Sequence, residues 1–286
     1  MANAYVGLTT LKAGIGAGIS GTADDAILLS KLEAASRDID RFCERRFYVE
    51  STTKYFDGDG TNLLLVPDLL SITTLQLDDD VDGLTWEETL SAAVPDYLLE
   101  PYNSWPKTRI RLHPMGTYAA FTAGPRTVAI AGSWGYGNGV SATPYTPNLT
   151  TTTEELDASE TGVDVTDRTV LEVGDTLLIE SEQMYVTAIT AGAGNAGTLT
   201  VVRGVNGTTA ATHTTAKAIA VYDYPSTIVE AALMQTARLY KRKDSAYSPE
   251  MGGVETGVLS VGRGLDPDVV EKLLPFVRHG LRMGSV

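Results

Sequence analysis

Leu28, Leu32, Ala35, Ile39 and Phe42 recur at alternating steps of four and three. That spacing places them on one stripe of a helix and predicts a helix from about Asp24 to Arg46. Thr22 and Asp25 have capping-box spacing, with Asp in place of Glu. Acids at the start and Arg45 and Arg46 at the end suit the helix dipole. From Phe47 to Tyr136 the period changes to two. Candidate strands are Thr52–Phe56, Asn62–Val66, Ile72–Leu77, Tyr97–Glu100, Thr108–Leu112 and Thr127–Trp134, separated by Gly, Pro and Asp clusters. A Thr-, Pro- and Asn-rich stretch from Ser141 to Thr153 reads as a linker. Beyond it, Thr176–Glu180, Met184–Ile189, Thr198–Arg203 and Lys217–Val221 read as the strands of a small β domain.

A second helix is predicted from Thr227 to Lys243, after Pro225 and with a Thr227/Glu230 capping box. Val229, Ala232, Leu233, Thr236, Leu239 and Tyr240 form its less polar face. A Gly-rich loop then runs to Gly264. Asp266 caps a short last helix with Pro267 at its first position. The opening of the chain, rich in Gly, Ala and Thr, reads as a flexible arm. Gly14, Gly16 and Gly18 lack the Lys-Ser/Thr of a phosphate loop.

Composition limits the chemistry. The 286 residues carry a formal charge of −14, so most of the surface should repel DNA rather than grip it. DNA passing through a channel without tight binding remains compatible with that charge. Residues 151–222 hold ten acids and three Lys or Arg; residues 101–150 hold four Lys or Arg and no acid. No apolar run reaches the roughly 18 residues of a membrane helix, so no membrane association is expected. The lone Cys43 lies in the first helical pattern and reads as a half-buried thiol. His113, His213 and His279 fall in separate segments without metal-ligand spacing.

Asp57-Gly58-Asp59-Gly60 resembles the start of a calcium loop, but the turn glycine is replaced by Asn62 and the twelfth position is Asp68. A hairpin turn fits better. Asp78-Asp79-Asp80 with Asp82 reads as a solvated turn rather than a metal site. No nucleophile elbow is present. The expectation is a protein without catalytic activity, cofactor or metal.

Two separated segments resemble the head–tail connector (adaptor) family of long-tailed bacteriophages. The first is Leu32–Phe47, an Ala-Ala/Ser helix with an Arg-x-Phe exit at Arg45-Arg46-Phe47. The second joins Val128–Tyr136, ending in Trp134-Gly135-Tyr136, to Tyr224-Pro225 and the helix Ile228–Lys243 with its Ala237-Arg238-Leu239-Tyr240 run. The close, Leu273-Leu274-Pro275-Phe276-Val277-Arg278, is similar to the family's terminal pattern. Ala237 and Phe276 each stand one position away from it. The block 141–222 departs from the family and is similar to small β modules of phage structural proteins, through Val173-Gly174-Asp175, Glu182-Gln183-Met184 and Val202–Thr208.

The resemblance implies an α+β fold. Its helical adaptor core would have the N- and C-terminal helices packed together, with a β-rich region and an inserted small β domain. The implied division is a flexible arm (1–23), a connector core (24–140 and 223–265), the insert (141–222) and a C-terminal docking segment (266–286). It also implies a structural subunit of the virion neck, assembled in the host bacterial cytoplasm. Such subunits form a homo-oligomeric ring, commonly dodecameric, that joins the portal protein to the tail or a downstream neck protein and prolongs the DNA channel. Leu273, Leu274, Phe276, Val277 and Arg278, with Lys241, Arg242 and Lys243, are the candidate portal- or partner-binding residues. The competing reading is a tail-tip, fibre or decoration protein with an adhesion or carbohydrate-binding role.

Overall fold

In a computed structural model, residues 3–15, 21–93, 95–242, 250–251, 259–260 and 264–278 are described. The chain is mostly β, with two six-stranded antiparallel sheets and four short helices among these residues. This corrects the expected α+β fold with a helical adaptor core. The helices Leu8–Ile15 (α1), Asp25–Cys43 (α2), Ser226–Lys241 (α3) and Pro267–Leu273 (α4) are too few to form that core alone. Alternating patterns outweigh helical ones along most of the chain.

The chain divides into two compact units. One holds residues 46–144 with 206–208; the other holds 1–45, 145–205 and 209–286, so the helices fall with the second sheet.

In the first unit the strands are Glu50–Gly58 (β1), Leu63–Leu77 (β2), Glu88–Leu90 (β3), Tyr97–Glu100 (β4), Lys107–Leu112 (β5) and Gly124–Trp134 (β6). Their order is β1-β6-β2-β5-β4, with β3 paired to β2. The two strands expected around Pro67 are one long strand. Its register against β5 shifts between Leu65 and Leu69, where proline can offer no ladder donor. Leu64, Val66, Leu75, Ile110, Ile130 and Trp134 fill the core. The Trp134 indole donates to the Thr52 carbonyl at 2.9 Å.

In the second unit Tyr145–Thr151 (β7), Gly162–Val165 (β8), Thr176–Ile179 (β9), Glu182–Ala191 (β10), Gly197–Val202 (β11) and Ala218–Tyr222 (β12) run in the order β7-β12-β9-β10-β11-β8. The expected linker therefore contains a strand. β7 pairs only with β12, and such an edge position tolerates Pro147. Past its end, Thr152 bridges Val165, Thr153 N donates to Asp164 O and Thr166 N donates to Thr151 O. These bonds join the two edge strands and close the sheet into a small barrel around Leu156, Val163, Leu177, Met184, Val186 and Leu199.

The helices pack beside one another in the same unit. α2 buries Leu28, Leu32, Ala35 and Ile39 as its stripe predicts, and Cys43 rather than Phe42 continues it. Burial pushes the Cys43 thiol up to about 12. α2 ends at Glu44, whose left-handed backbone returns its N–H to Asp40 O. α3 starts at Ser226 with Pro225 before it, so Thr227 lies inside the first turn and makes no cap. Its buried face is Ile228, Ala231, Ala232, Gln235, Thr236 and Tyr240, rotated from the predicted one. Tyr240 Oη donates to Asp24 at 2.6 Å, so α2 and α3 run antiparallel.

The N-terminal stretch, expected as a flexible arm, is packed instead. Tyr5, Leu8 and Leu11 are buried, and Leu8 N donates to Val173 O. Gly16 and Gly18 lie outside the described residues. No helix among the described residues is long and apolar enough to cross a membrane.

Candidate functional site

The C-terminal segment is built as its sequence suggests. Asp266 accepts from Asp268 N and starts α4, with Pro267 at the first position. Its docking is intramolecular. Asp266 N donates to Gln235 Oε1 at 3.2 Å, Arg238 lies 3.4 Å from Asp266, and Lys272 pairs with Glu230 at 3.0 Å. α4 therefore runs antiparallel to α3. Val269 and Leu273 are fully buried in this contact. A 3-10 turn, Leu274–Phe276, follows, and Arg278 N donates to Cys43 O at 2.9 Å.

This placement sorts the candidate partner residues. Leu273 is buried against its own chain and offers nothing to a partner. Leu274 is 54% exposed, while Phe276, Val277 and Arg278 are half-buried. Lys241 and Arg242 lie at the opposite end of α3 from Glu230, about 16 Å along the axis at 1.5 Å per residue. The two halves of the predicted surface are thus separated rather than brought together. Lys243 and His279 lie outside the described residues, as does most of the loop before Gly264.

The turns read from sequence have local explanations. Asp59 accepts from Thr61 N and Oγ1, so it closes the turn between β1 and β2. Asp78, fully buried, accepts from Val81 N and Gly83 N, and Asp82 accepts from Leu84 N and Thr85 N. Asp78, Asp80 and Glu87 bring carboxylate oxygens within 4.8 Å of one another, a spacing that could hold a cation. Asp78 and Asp80 were noted from sequence as an acidic turn; Glu87, five residues past Asp82, was not.

The barrel holds a constellation that spacing alone did not reveal. Arg203, 6% exposed, grips the fully buried Glu182 through Nε and an Nη at 2.7 Å each. Its remaining donors reach the carbonyls of Asp157, Glu160 and Ala211, so all five N–H groups are used. Glu182 also accepts from Gly204 N and Ala211 N, and His213 stands between Glu182 and Glu180 at 2.9 and 2.7 Å. Lys217 completes the chain on Glu180 at 2.5 Å. The segments Glu182-Gln183-Met184 and Val202–Thr208 therefore meet here. The arrangement is a staple that fixes the long connections of the barrel. No open cleft is needed to explain it.

Burial pushes the Glu182 carboxyl up, but the Arg203, Ala211, His213 and Gly204 hydrogen bonds outweigh it and hold it at about 2. A carboxyl depressed on folding adds stability above its unfolded value near 4.5, and loses it as pH falls toward 2. Roughly 3 kcal/mol is at stake. Urea midpoints measured at pH 6, 4 and 2.5 should fall through that window. Glu182→Gln should start lower and remove that part of the slope. An unchanged slope in the variant would show that another acid controls it.

No family model matches the chain, and no curated protein matches it. Part of it resembles a solved chain from the "Neck of empty GTA particle computed with C6 symmetry". The two are 20% identical with a TM-score of 0.34, over 47% of this chain and 66% of that chain. The match thus spans less than two thirds of that chain's length. The likeness is to a component of a particle neck, and at that TM-score it bears on no finer point.

Proposed function

We propose that the protein is a structural subunit of a phage neck, one member of a ring that joins the portal to the tail or to the next neck protein. The observation that carries this reading is the meeting of two resemblance segments through residues about 90 positions apart in the chain. Tyr136 N, from Trp134-Gly135-Tyr136, donates to Arg46 O at 2.8 Å. The Tyr136 ring meets Phe47, in the Arg-x-Phe exit, with centroids 5.4 Å apart. Arg46 and Phe47 of the one motif and Trp134-Gly135-Tyr136 of the other thus lie together in the first unit, which supports the reading. The surplus of acid supports a channel wall that does not hold DNA. On this reading the partner surface is the exposed Leu274 with Phe276, Val277 and Arg278. Lys241 and Arg242 form a separate basic patch.

Mass photometry of the purified chain tests the ring. The expected species is a closed oligomer near twelve copies, seen as an annulus in negative stain. A stable trimer would favour the fibre or decoration reading. A monomer at every concentration, in the presence and absence of portal, would overturn the ring.

A further inference from the structure

The second unit contains a cleft of about 240 Å³ that the neck reading does not use. Tyr5, Thr10, Glu172, Asp175, Asp223 and Tyr224 are among the residues lining it. Three of its lining side chains are carboxylates, and none is Lys, Arg or His. Its walls are aromatic: the rings of Tyr5 and Tyr224 lie 4.7 Å apart, and those of Tyr224 and Tyr222 lie 4.4 Å apart.

The polar atoms are arranged in advance. Glu172 accepts from Thr10 N at 2.8 Å and Thr10 Oγ1 at 2.6 Å, which fixes its charge over the first turn of α1. Asp175 takes Glu172 N on one oxygen at 2.7 Å and leaves the other open. The Tyr224 hydroxyl is buried beside the Thr176 hydroxyl, whose proton goes to Asn3 Oδ1 at 3.1 Å. A buried phenolic oxygen can accept a further hydrogen bond, and a ligand N–H that supplies it is favoured there.

We infer that this cleft receives one guanidinium or primary ammonium group, held against the tyrosine wall by the carboxylates of Glu172, Asp175 and Asp223. The chemistry suits a cation on every side. Ring faces attract it, carboxylates form charge-assisted hydrogen bonds with its N–H groups, and the Tyr224 oxygen accepts another. Neutral polar ligands would leave the carboxylates unanswered. Arg37, 5.2 Å from the centre of the Tyr5 ring, is already paired with Asp40 at 3.1 Å. The group has two possible sources, a basic side chain of a partner protein or a free organic cation.

The site also carries a pH signature. Burial, helped by the charge of Glu172 and opposed by the Glu172 N–H, pushes Asp175 up to about 7. Near neutrality Asp175 is therefore protonated about half of the time, and a bound cation displaces that proton. The facing Tyr5, Tyr222 and Tyr224 are all raised further above the ordinary tyrosine range by burial and stay neutral there. Glu172 and Asp223 supply the remaining charge. Affinity should thus rise about tenfold between pH 6 and pH 8.

Calorimetric titration of the full chain with methylguanidinium, Gly-Arg-Gly and the neutral isostere Gly-citrulline-Gly, both peptides N-acetylated and C-amidated, tests this at both pH values. Saturable binding of the two cationic probes is expected, on the order of millimolar, with none for citrulline. Asp175→Asn should weaken it at least tenfold and abolish its pH dependence. Tyr224→Phe should weaken it while leaving that dependence, and serves if the first variant does not fold. Tighter binding of Gly-Arg-Gly than of methylguanidinium assigns the group to a protein side chain; the reverse order assigns it to a free cation. Equal binding of citrulline, no saturation, or unchanged affinity in both variants overturns the site. None of these results depends on whether the chain forms a ring.

Discussion

Arg203→Met should lower the stability of the barrel by about 3–5 kcal/mol, because it leaves Glu182 charged and buried with its strongest partner gone. On a chain of this size that is a fall in melting temperature of roughly 10 °C. The five donors of Arg203 also hold the carbonyls of Asp157, Glu160 and Ala211, so the connections on both sides of the barrel should loosen together. Adding Glu182→Leu to the Arg203 variant removes the stranded charge and should recover part of the loss. A double-mutant cycle isolates that coupling, which should exceed 1 kcal/mol. Additive effects, or a loss under 1 kcal/mol for Arg203→Met alone, would mean that water answers Glu182 as well as the guanidinium does.

Gly135→Ala should cost about 2–4 kcal/mol, an unusually large effect for one added methyl group. Gly135 has φ +141°, and a Cβ there would sit 2.2 Å from the Tyr48 carbonyl oxygen. Neither the backbone of Tyr48 nor that of the strand end can yield easily. The Tyr136 N–H bond to Arg46 O and the Phe47–Tyr136 ring contact depend on the same path of the chain. The near-ultraviolet circular dichroism of the variant should therefore change along with its denaturation midpoint. Gly21→Ala is the control, since nothing lies within 4 Å of a Cβ there, and it should stay within about 0.5 kcal/mol. A midpoint for Gly135→Ala equal to that control would show that the glycine of Trp134-Gly135-Tyr136 is not a steric requirement.

Much of the fold was legible where period and punctuation agreed. Tyr97–Glu100 is a strand with the bounds its alternation predicts, and α2 buries most of its predicted stripe. Reading failed where composition masked the period. Thr and Pro in Tyr145–Thr151 suggested a linker, although an edge strand needs ladder donors on one side only. Glycines in the opening stretch hid the apolar pair Leu8 and Leu11, one helical turn apart and both buried. The helical-core expectation gave two helices more weight than the twelve strands of the two large sheets, and the strands carry most of the packing.

The candidate surface was legible only in part. The cap at Asp266 and the proline after it are local signals, and the helix is present. Which side of a short helix faces its own chain depends on what it meets. Leu273 and Leu274, adjacent in sequence, point to opposite fates, one buried and one half exposed. The cation cleft had no local signal at all. Its tyrosines and carboxylates come from the N-terminal stretch, the start of the third barrel strand and the approach to α3, and only the folded path brings them together.

The closed barrel has one further consequence, for inheritance rather than for stability. Its first and last strands are neighbours, with Tyr145 opposite Tyr222 in the ladder and their rings 5.1 Å apart. The chain thus enters and leaves the barrel side by side, about one strand spacing apart. A recombination event that replaced residues 145–222 with a different closed barrel would meet a gap of that width, as would one that replaced them with a tight turn. Genes for such chains can exchange this block without moving the ends on either side, provided that the incoming block covers what α1 and α2 now rest on.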